Sequence, residues 1–164
     1  MCSSDLEWWY YTGHLSNHEG REWGFQLTCF RVGLRRAMPH PALSWDARDV
    51  QFGHFTLTDL QAGTFQVAER TARSIPRLAH ARSDRYDVRQ QDWTMQLVGD
   101  HHLLVAGDGD TRLELDLRPS KPPVIHGVDG VSAKSAGRGQ ASHYVSFTRL
   151  DGSGLLTRGR RRER

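Results

Sequence analysis

Hydrophobic and polar positions alternate with a period of two over most of this chain, the mark of β-strands. The run from Glu7 to Arg31, EWWYYTGHLSNHEGREWGFQLTCFR, holds two such stretches around Asn17, His18, Glu19 and Gly20, and predicts a long β-hairpin. Successive side chains of a strand point to opposite sides, so Trp8 and Tyr10 share one face while Trp9 and Tyr11 share the other. Rings on both faces predict cover on both, by a core or ligand cavity on one side and a neighbouring domain on the other. On the returning strand Trp23, Phe25, Leu27 and Cys29 fall on one side, and Gly24, Gln26, Thr28 and Phe30 on the other. An even turn centred on His18 and Glu19 sets Tyr10 opposite Leu27, and a slip of one residue sets it opposite Gln26 or Thr28. The pattern leaves the register open.

Beyond the hairpin, residues 32 to 49 read as a loop containing Pro39 and Pro41. VQFGHFTLTDL (50–60) alternates again, with Phe52, His54, Thr56 and Thr58 on one face and Gly53, Phe55, Leu57 and Asp59 on the other. GTFQVAERTA predicts its return strand after a connection at Gln61, Ala62 and Gly63. Residues 74 to 86 read as a polar link with room for one short helix. YDVRQQ, DWTMQLVG, HLLVAG and TRLELDLRP then follow as strands, the last with Leu113, Leu115 and Leu117 on one face. Residues 121 to 140 are irregular, and a loop of that length suits a cover over a barrel mouth or an interdomain seam. ASHYVSFTRL predicts a strand, Asp151-Gly152-Ser153-Gly154 a turn, and LLTRG a last strand. Nine or ten strands with almost no helix give an all-β, antiparallel barrel or sandwich.

At 164 residues the chain suits one domain able to bury a core. No apolar run approaches the roughly 18 residues of a membrane span, and no basic-then-apolar leader opens it. The compartment of the intact protein is left open, with export, a periplasmic site or membrane association all compatible. The net charge of +3 comes from the end: without residues 158–164, which carry five arginines and one glutamate, the balance falls to −1. No basic stripe remains, so nucleic acid is not an expected partner. Residues 1–6 resemble the translation of a sequencing adapter and are expected to be an artificial leader. Residues 160–164 read as an Arg-rich tail of the same kind, leaving 7–159 as the domain.

Candidate chemistry narrows quickly. The nine histidines show no His-Glu-x-x-His spacing and the cysteines no zinc framework, so no metal and no cofactor are expected. Adjacent His101 and His102 face opposite ways in a strand. His143 and Ser146 lack a nucleophile elbow, and Gly137 and Gly139 join no strand to a helix. Cys29 reads as a small buried hydrophobe. The surplus is aromatic. A barrel interior either fills with side chains or holds one apolar ligand, and rings interspersed with a few polar groups suit an elongated apolar molecule. On that basis Trp8, Tyr10, Gln26, Thr28, Phe30, His54 and Tyr144 are the candidate ligand-binding residues.

EWWYYTGHL, GFQLTCFR and KPPVIHGVDGVSAKSAGRGQASHYVSFTRL, in that order, resemble the first half of the AttH/CrtC-type family, the carotenoid 1,2-hydratases and their relatives. The resemblance implies the first of two tandem lipocalin-like β-barrels, with a second lipocalin-like domain of the intact chain as partner and an isoprenoid or lipid as ligand. It adds His126, in the KPPVIHG block, as a polar contact at the ligand mouth or the seam between barrels. Two positions depart from the family pattern, Cys29 and His143, where relatives tend to carry aromatics. The implied chemistry is protonation of a terminal C=C by a carboxylic acid kept neutral in a dry site, then addition of water to the cation. In relatives the associated acid lies in an Asp-His-Glu-Trp-like block of the second half, so no catalytic residue is assigned here and this chain alone is expected to be inactive. A non-catalytic lipid-binding or shuttling protein of the cell envelope, and a polyene cyclase-like relative, are the alternatives.

Overall fold

The computed structural model describes residues 6–34, 49–133 and 141–163. Met1 to Asp5 of the expected leader, most of the proline-bearing loop, residues 134–140 and Arg164 lie outside the described residues. Every regular element among the described residues is a strand: β1 (Leu6–Ser16), β2 (Glu22–Gly33), β3 (Asp49–Asp59), β4 (Thr64–Arg73), β5 (Ala79–Ala81), β6 (Asp87–Gln90), β7 (Trp93–Val98), β8 (His101–Asp108), β9 (Thr111–Pro119), β10 (Val124–Ile125), β11 (Val131–Ala133), β12 (Ala141–His143), β13 (Val145–Ser146), β14 (Leu150–Arg158) and β15 (Arg161–Glu163). One antiparallel sheet runs β1-β2-β3-β4 and a second β15-β14-β9-β8-β7-β6-β5, with the small ladders β10-β13 and β11-β12 between β9 and β14. No described helix is long and apolar enough to cross a membrane.

The inner faces of the two sheets share one core. Trp23, Phe25, Leu27, Cys29, Phe55 and Leu57 meet Trp93, Met95, Leu104, Ala106 and the expected leucine row of β9. Trp93 is the anchor: its indole N–H donates to the Gly107 carbonyl at 2.7 Å, and its ring meets Phe55 edge-on at 6.1 Å. The sheets are laced at one side by Arg70, which bonds Asp108 at 2.8 Å, and by the Gln90 amide, which donates to the Gln51 carbonyl at 3.1 Å.

At the other side Asp59, 1% exposed, ends β3 and binds Arg21 of the hairpin turn at 2.5 Å and Arg158 of β14 at 2.7 Å. Burial alone would push its carboxyl up. The guanidiniums and the Ala62 N–H outweigh that effect and hold it at about 2. Asn17 adds a second tie, donating to buried Glu163 of β15 at 2.8 Å. Thus residues 161–163 of the Arg-rich tail form a strand against β14.

Several expectations change in detail. The hairpin turn is odd, spanning 17–21, because Asn17 Oδ1 accepts from the N–H groups of Glu19 and Arg21 and Gly20 takes a positive φ of 77°. The register therefore pairs Tyr10 with Thr28 and Tyr11 with Leu27. The link from residue 74 to 86 forms no helix; an Ile75–Ala79 bridge turns it directly into β5. ASHYVSFTRL is not one strand but breaks at Tyr144 into β12 and β13, which pair with different partners. The glycines of Asp151–Gly154 make no turn. They lie in β14 opposite Leu117 and Leu115, where a Cβ on Gly152 would come within 2.0 Å of the Asp116 carbonyl oxygen and one on Gly154 within 2.1 Å of that of Glu114. Close backbone approach accounts for these glycines better than turn-forming does.

Candidate functional site: the cavity at the β1–β14 seam

The ladder does not close between β1 and β14. β1 pairs with β2 alone, and Leu150–Leu155 of β14 pair only with β9 among the described residues. A cavity of about 1460 Å³ occupies this seam. Trp9, Tyr11 and Leu15 of β1 line one wall, and Leu113, Leu115 and Leu117 of β9 line the other. Residues 142–149 cross the gap as a strap, with Tyr144 reaching the β1 side and Phe147 packing on the His102 ring at 4.9 Å. These two walls are apolar because the inward phase of β1 and β9 carries large hydrophobic side chains, while charged and polar residues such as Glu7, Arg31, Arg82 and Asp151 line the rest of the cavity. The cavity exists because two edges of the sheets stand apart.

A polar cluster sits between these two walls. Tyr11 Oη lies 2.8 Å from His102 Nδ1 and 3.1 Å from Tyr86 Oη, and Tyr86 Oη lies 3.8 Å from Met95 Sδ. His102 is 3% exposed, and its Nε2 has no hydrogen-bond partner among the described residues. Burial pushes the Tyr11 hydroxyl up to about 12, against a small opposing effect of its bond to Tyr86. Burial likewise drives Tyr86 well above its ordinary value and His102 below its own. All three are neutral at pH 7.

The candidate residues gather on one face, and it is the outer one. Tyr10 is opposite Thr28 and Thr28 opposite His54, and Trp8 is opposite Phe30, which stacks on Phe52 at 4.8 Å and meets His54 at 5.9 Å. Gln26 donates to Thr28 Oγ1 at 3.1 Å. The strap joins the same side: Tyr144 bonds the Tyr10 hydroxyl at 3.0 Å, lies 6.4 Å from the Trp8 ring and stacks on His126 at 4.3 Å. His126 Nε2 also lies 2.9 Å from Ser146 Oγ. Trp8, Tyr10 and Tyr144 border the cavity from the rim, whereas Gln26, Thr28, Phe30, His54 and His126 are not among its lining. Gln26, Thr28, Phe30 and His54 alternate with buried Leu27, Cys29 and Phe55 and so face outward, and the odd turn sets Trp8 and Tyr10 on that same face and Tyr11 with Leu27. Sequence reasoning passed over Tyr11, Tyr86, His102 and Phe147. The available signal was phase: Tyr11 alternates with Trp9, and His102 with Leu104 and Ala106, the buried set of β8.

Comparison with known proteins places this geometry. A family model described as AttH-like matches residues 3–164. The chain belongs to the AttH-like family. The crystal structure of a protein described as a putative AttH (NE1406), from Nitrosomonas europaea, superposes with a TM-score of 0.82 at 31% identity, over 97% of this chain and 47% of that one. This AttH-like chain thus spans about half the length of that solved relative. No curated protein matches it. Family and fold together make it an all-β, lipocalin-like domain: the all-β class is the one expected from its strands, the lipocalin-like fold the one the resemblance implies.

Proposed function

We propose that this AttH-like domain binds one elongated apolar molecule, an isoprenoid or lipid, in the β1–β14 seam. The supporting observation is the 1460 Å³ cavity walled by aromatic β1 and the leucine row of β9. Its size exceeds the 300–1,000 Å³ typical of small-molecule pockets, which suits a long chain. Trp8, Tyr10 and Tyr144 act at the mouth, and Trp9, Tyr11 and Leu115 contact the buried length. Titration with an acyclic carotenoid or a fluorescent fatty-acid analogue tests this reading. Filling the site with Leu115→Trp, or removing the rim with Trp8→Ala and Tyr10→Ala together, weakens binding by about tenfold or more; unchanged affinity in folded variants refutes it.

Within the family chemistry of carotenoid hydration, the acid belongs to a second half of the intact protein. The carboxylates lining the cavity favour that division. Glu7 pairs with Arg31, Glu163 with Arg161 and Asn17, and Asp151 with Arg149; a hydrogen bond from Ser120, and after it Arg149, holds the Asp151 carboxyl below the usual range. None is a lone acid in a dry setting. A carrier without catalysis fits the same pairing. Mixing the two-domain protein with acyclic carotenoid separates the readings: a mass gain of one water marks hydration, isomerised product of unchanged mass a cyclase, and bound but unaltered ligand a carrier. The outer face of Phe30, Phe52 and His54 is the surface for the second lipocalin-like domain. His54 as reactive to carbethoxylation in a two-domain chain as in this one would contradict that docking.

A further inference from the structure

The strap belongs to a larger flap, residues 120–149, inserted between β9 and β14. At its base the Ser120 N–H donates to the Arg149 carbonyl at 3.1 Å, next to the Pro119–Leu150 pair. The flap is bonded to itself by the β10–β13 and β11–β12 ladders, by the His126 N–H on the Tyr144 carbonyl at 3.0 Å and by the Tyr144 N–H on that of Gly130 at 3.3 Å. Tyr144 turns towards Tyr10, whereas Val145 beside it is left exposed. Ile125 stands directly opposite Val145, and Val128 bridges Val131. A Cβ on Gly130 would meet Ile125 Cγ2 at 3.2 Å, so the two pairs adjoin. Together they make one aliphatic patch, in which Val128 is 79% and Ile125 63% exposed. Contiguous exposed apolar side chains mark interaction surfaces.

We infer that this patch docks the domain on an anionic lipid surface and so sets the mouth of the seam cavity against the bilayer. The inference draws on the cavity reading for the ligand and goes beyond it in naming a partner surface. Three observations favour lipid over protein. Val145 of the patch also lines the cavity, as does His143, which faces Val131 across the β11–β12 ladder, so the docked face and the mouth are continuous. An apolar ligand that partitions out of water is delivered there from the bilayer itself. The patch is Val and Ile, without the Trp, Tyr and Arg anchors that dominate protein interfaces. Its segment is also one-sided in charge: residues 120–149 hold Lys121, Lys134, Arg138 and Arg149 but, of the chain's 19 acidic residues, Asp129 alone. Basic residues beside an apolar surface are drawn to acidic headgroups, and the aliphatic side chains then insert.

The test is co-sedimentation of this chain with vesicles of phosphatidylcholine mixed with phosphatidylglycerol, and with vesicles of phosphatidylcholine alone. Partition into the mixed vesicles is expected, several-fold stronger than into the neutral ones. Ile125→Ser with Val128→Ser lowers it about tenfold by taking two aliphatic groups out of the interface. Phe65→Ser with Val67→Ser, positions 67% and 57% exposed but on β4, leaves it unchanged. Resistance of buried Cys29 to iodoacetamide reports that each variant keeps its core. No partition of the unsubstituted chain, or equal loss in both double variants, overturns the inference. So does a dimer that Ile125→Ser with Val128→Ser dissociates while lipid goes unbound, since the patch then belongs to a second copy. Uptake of a fluorescent fatty-acid analogue without vesicle binding sinks the docking alone, and vesicle binding by a chain that takes up no such analogue sinks the cavity reading alone.

Discussion

Replacing Asp59 by Asn probes how the two sheets are held at the closed end of the seam. The carboxylate accepts from Arg21 at 2.5 Å, Arg158 at 2.7 Å and the Ala62 N–H at 3.0 Å. Asn keeps the shape and one acceptor for Ala62 but removes the charge. Hydrogen bonds to charged groups contribute about 1.5–3 kcal/mol each, yet the Arg21 and Arg158 side chains are 26% and 36% exposed, so solvent screens part of that gain. A destabilisation of about 2 kcal/mol at pH 7 is expected. The sign with pH follows from the depressed carboxyl, about 2 in the folded chain against an ordinary 3.8. Its contribution is fully present above the ordinary value and is lost as pH falls from about 4 towards 2. Urea unfolding of both proteins at pH 7 and at pH 2.5 reads the difference. The gap between them should shrink by more than half at the lower pH. A gap below about 0.5 kcal/mol at pH 7, or one that does not change with pH, would refute the clamp.

Gly152→Ala forces a Cβ against the Asp116 carbonyl oxygen, a backbone atom that cannot step aside, so thermal unfolding should show a loss of about 1–3 kcal/mol. Gly24→Ala, whose Cβ meets nothing nearer than Thr58 Cβ at 3.7 Å, serves as the contrast and should cost little. Cys29 is buried and its thiol is pushed up to about 12 by that burial. Iodoacetamide at pH 8 should therefore leave it unmodified in the folded chain and alkylate it in denaturant, and native labelling at the rate of a free thiol would contradict its place in the core.

The fold class was legible because period-two patterning is local. Leu113, Leu115 and Leu117 fall inward as their alternation requires, and so do Phe55 and Leu57 of β3. What escaped was set by single contacts. Asn17, by capping its own turn, moved the hairpin register one residue away from the even turn and so set Trp8 and Tyr10 on the outer face, beside Phe30 and Thr28. Gly152 and Gly154 carry the composition of a turn, yet they sit in a strand where the β9 backbone comes close, a reason visible only across the ladder. The link before β6 has little hydrophobic periodicity, and its path is decided by the Ile75–Ala79 bridge. At the site, the aromatic excess of β1 pointed to a ligand cavity, but the cluster of Tyr11, Tyr86 and His102 joins three strands or their flanks far apart in sequence. No spacing rule reaches that far.

Photolabelling tests the central claim most directly. A long alkyl alcohol carrying a diazirine, irradiated with this chain and mapped by peptide mass spectrometry, is expected to mark the peptides of Tyr11, Leu115 and Phe147, which meet in the seam cavity. Label confined to exposed Phe65 and Val67, or to Phe52 on the outer face, would contradict a ligand held between β1 and β14.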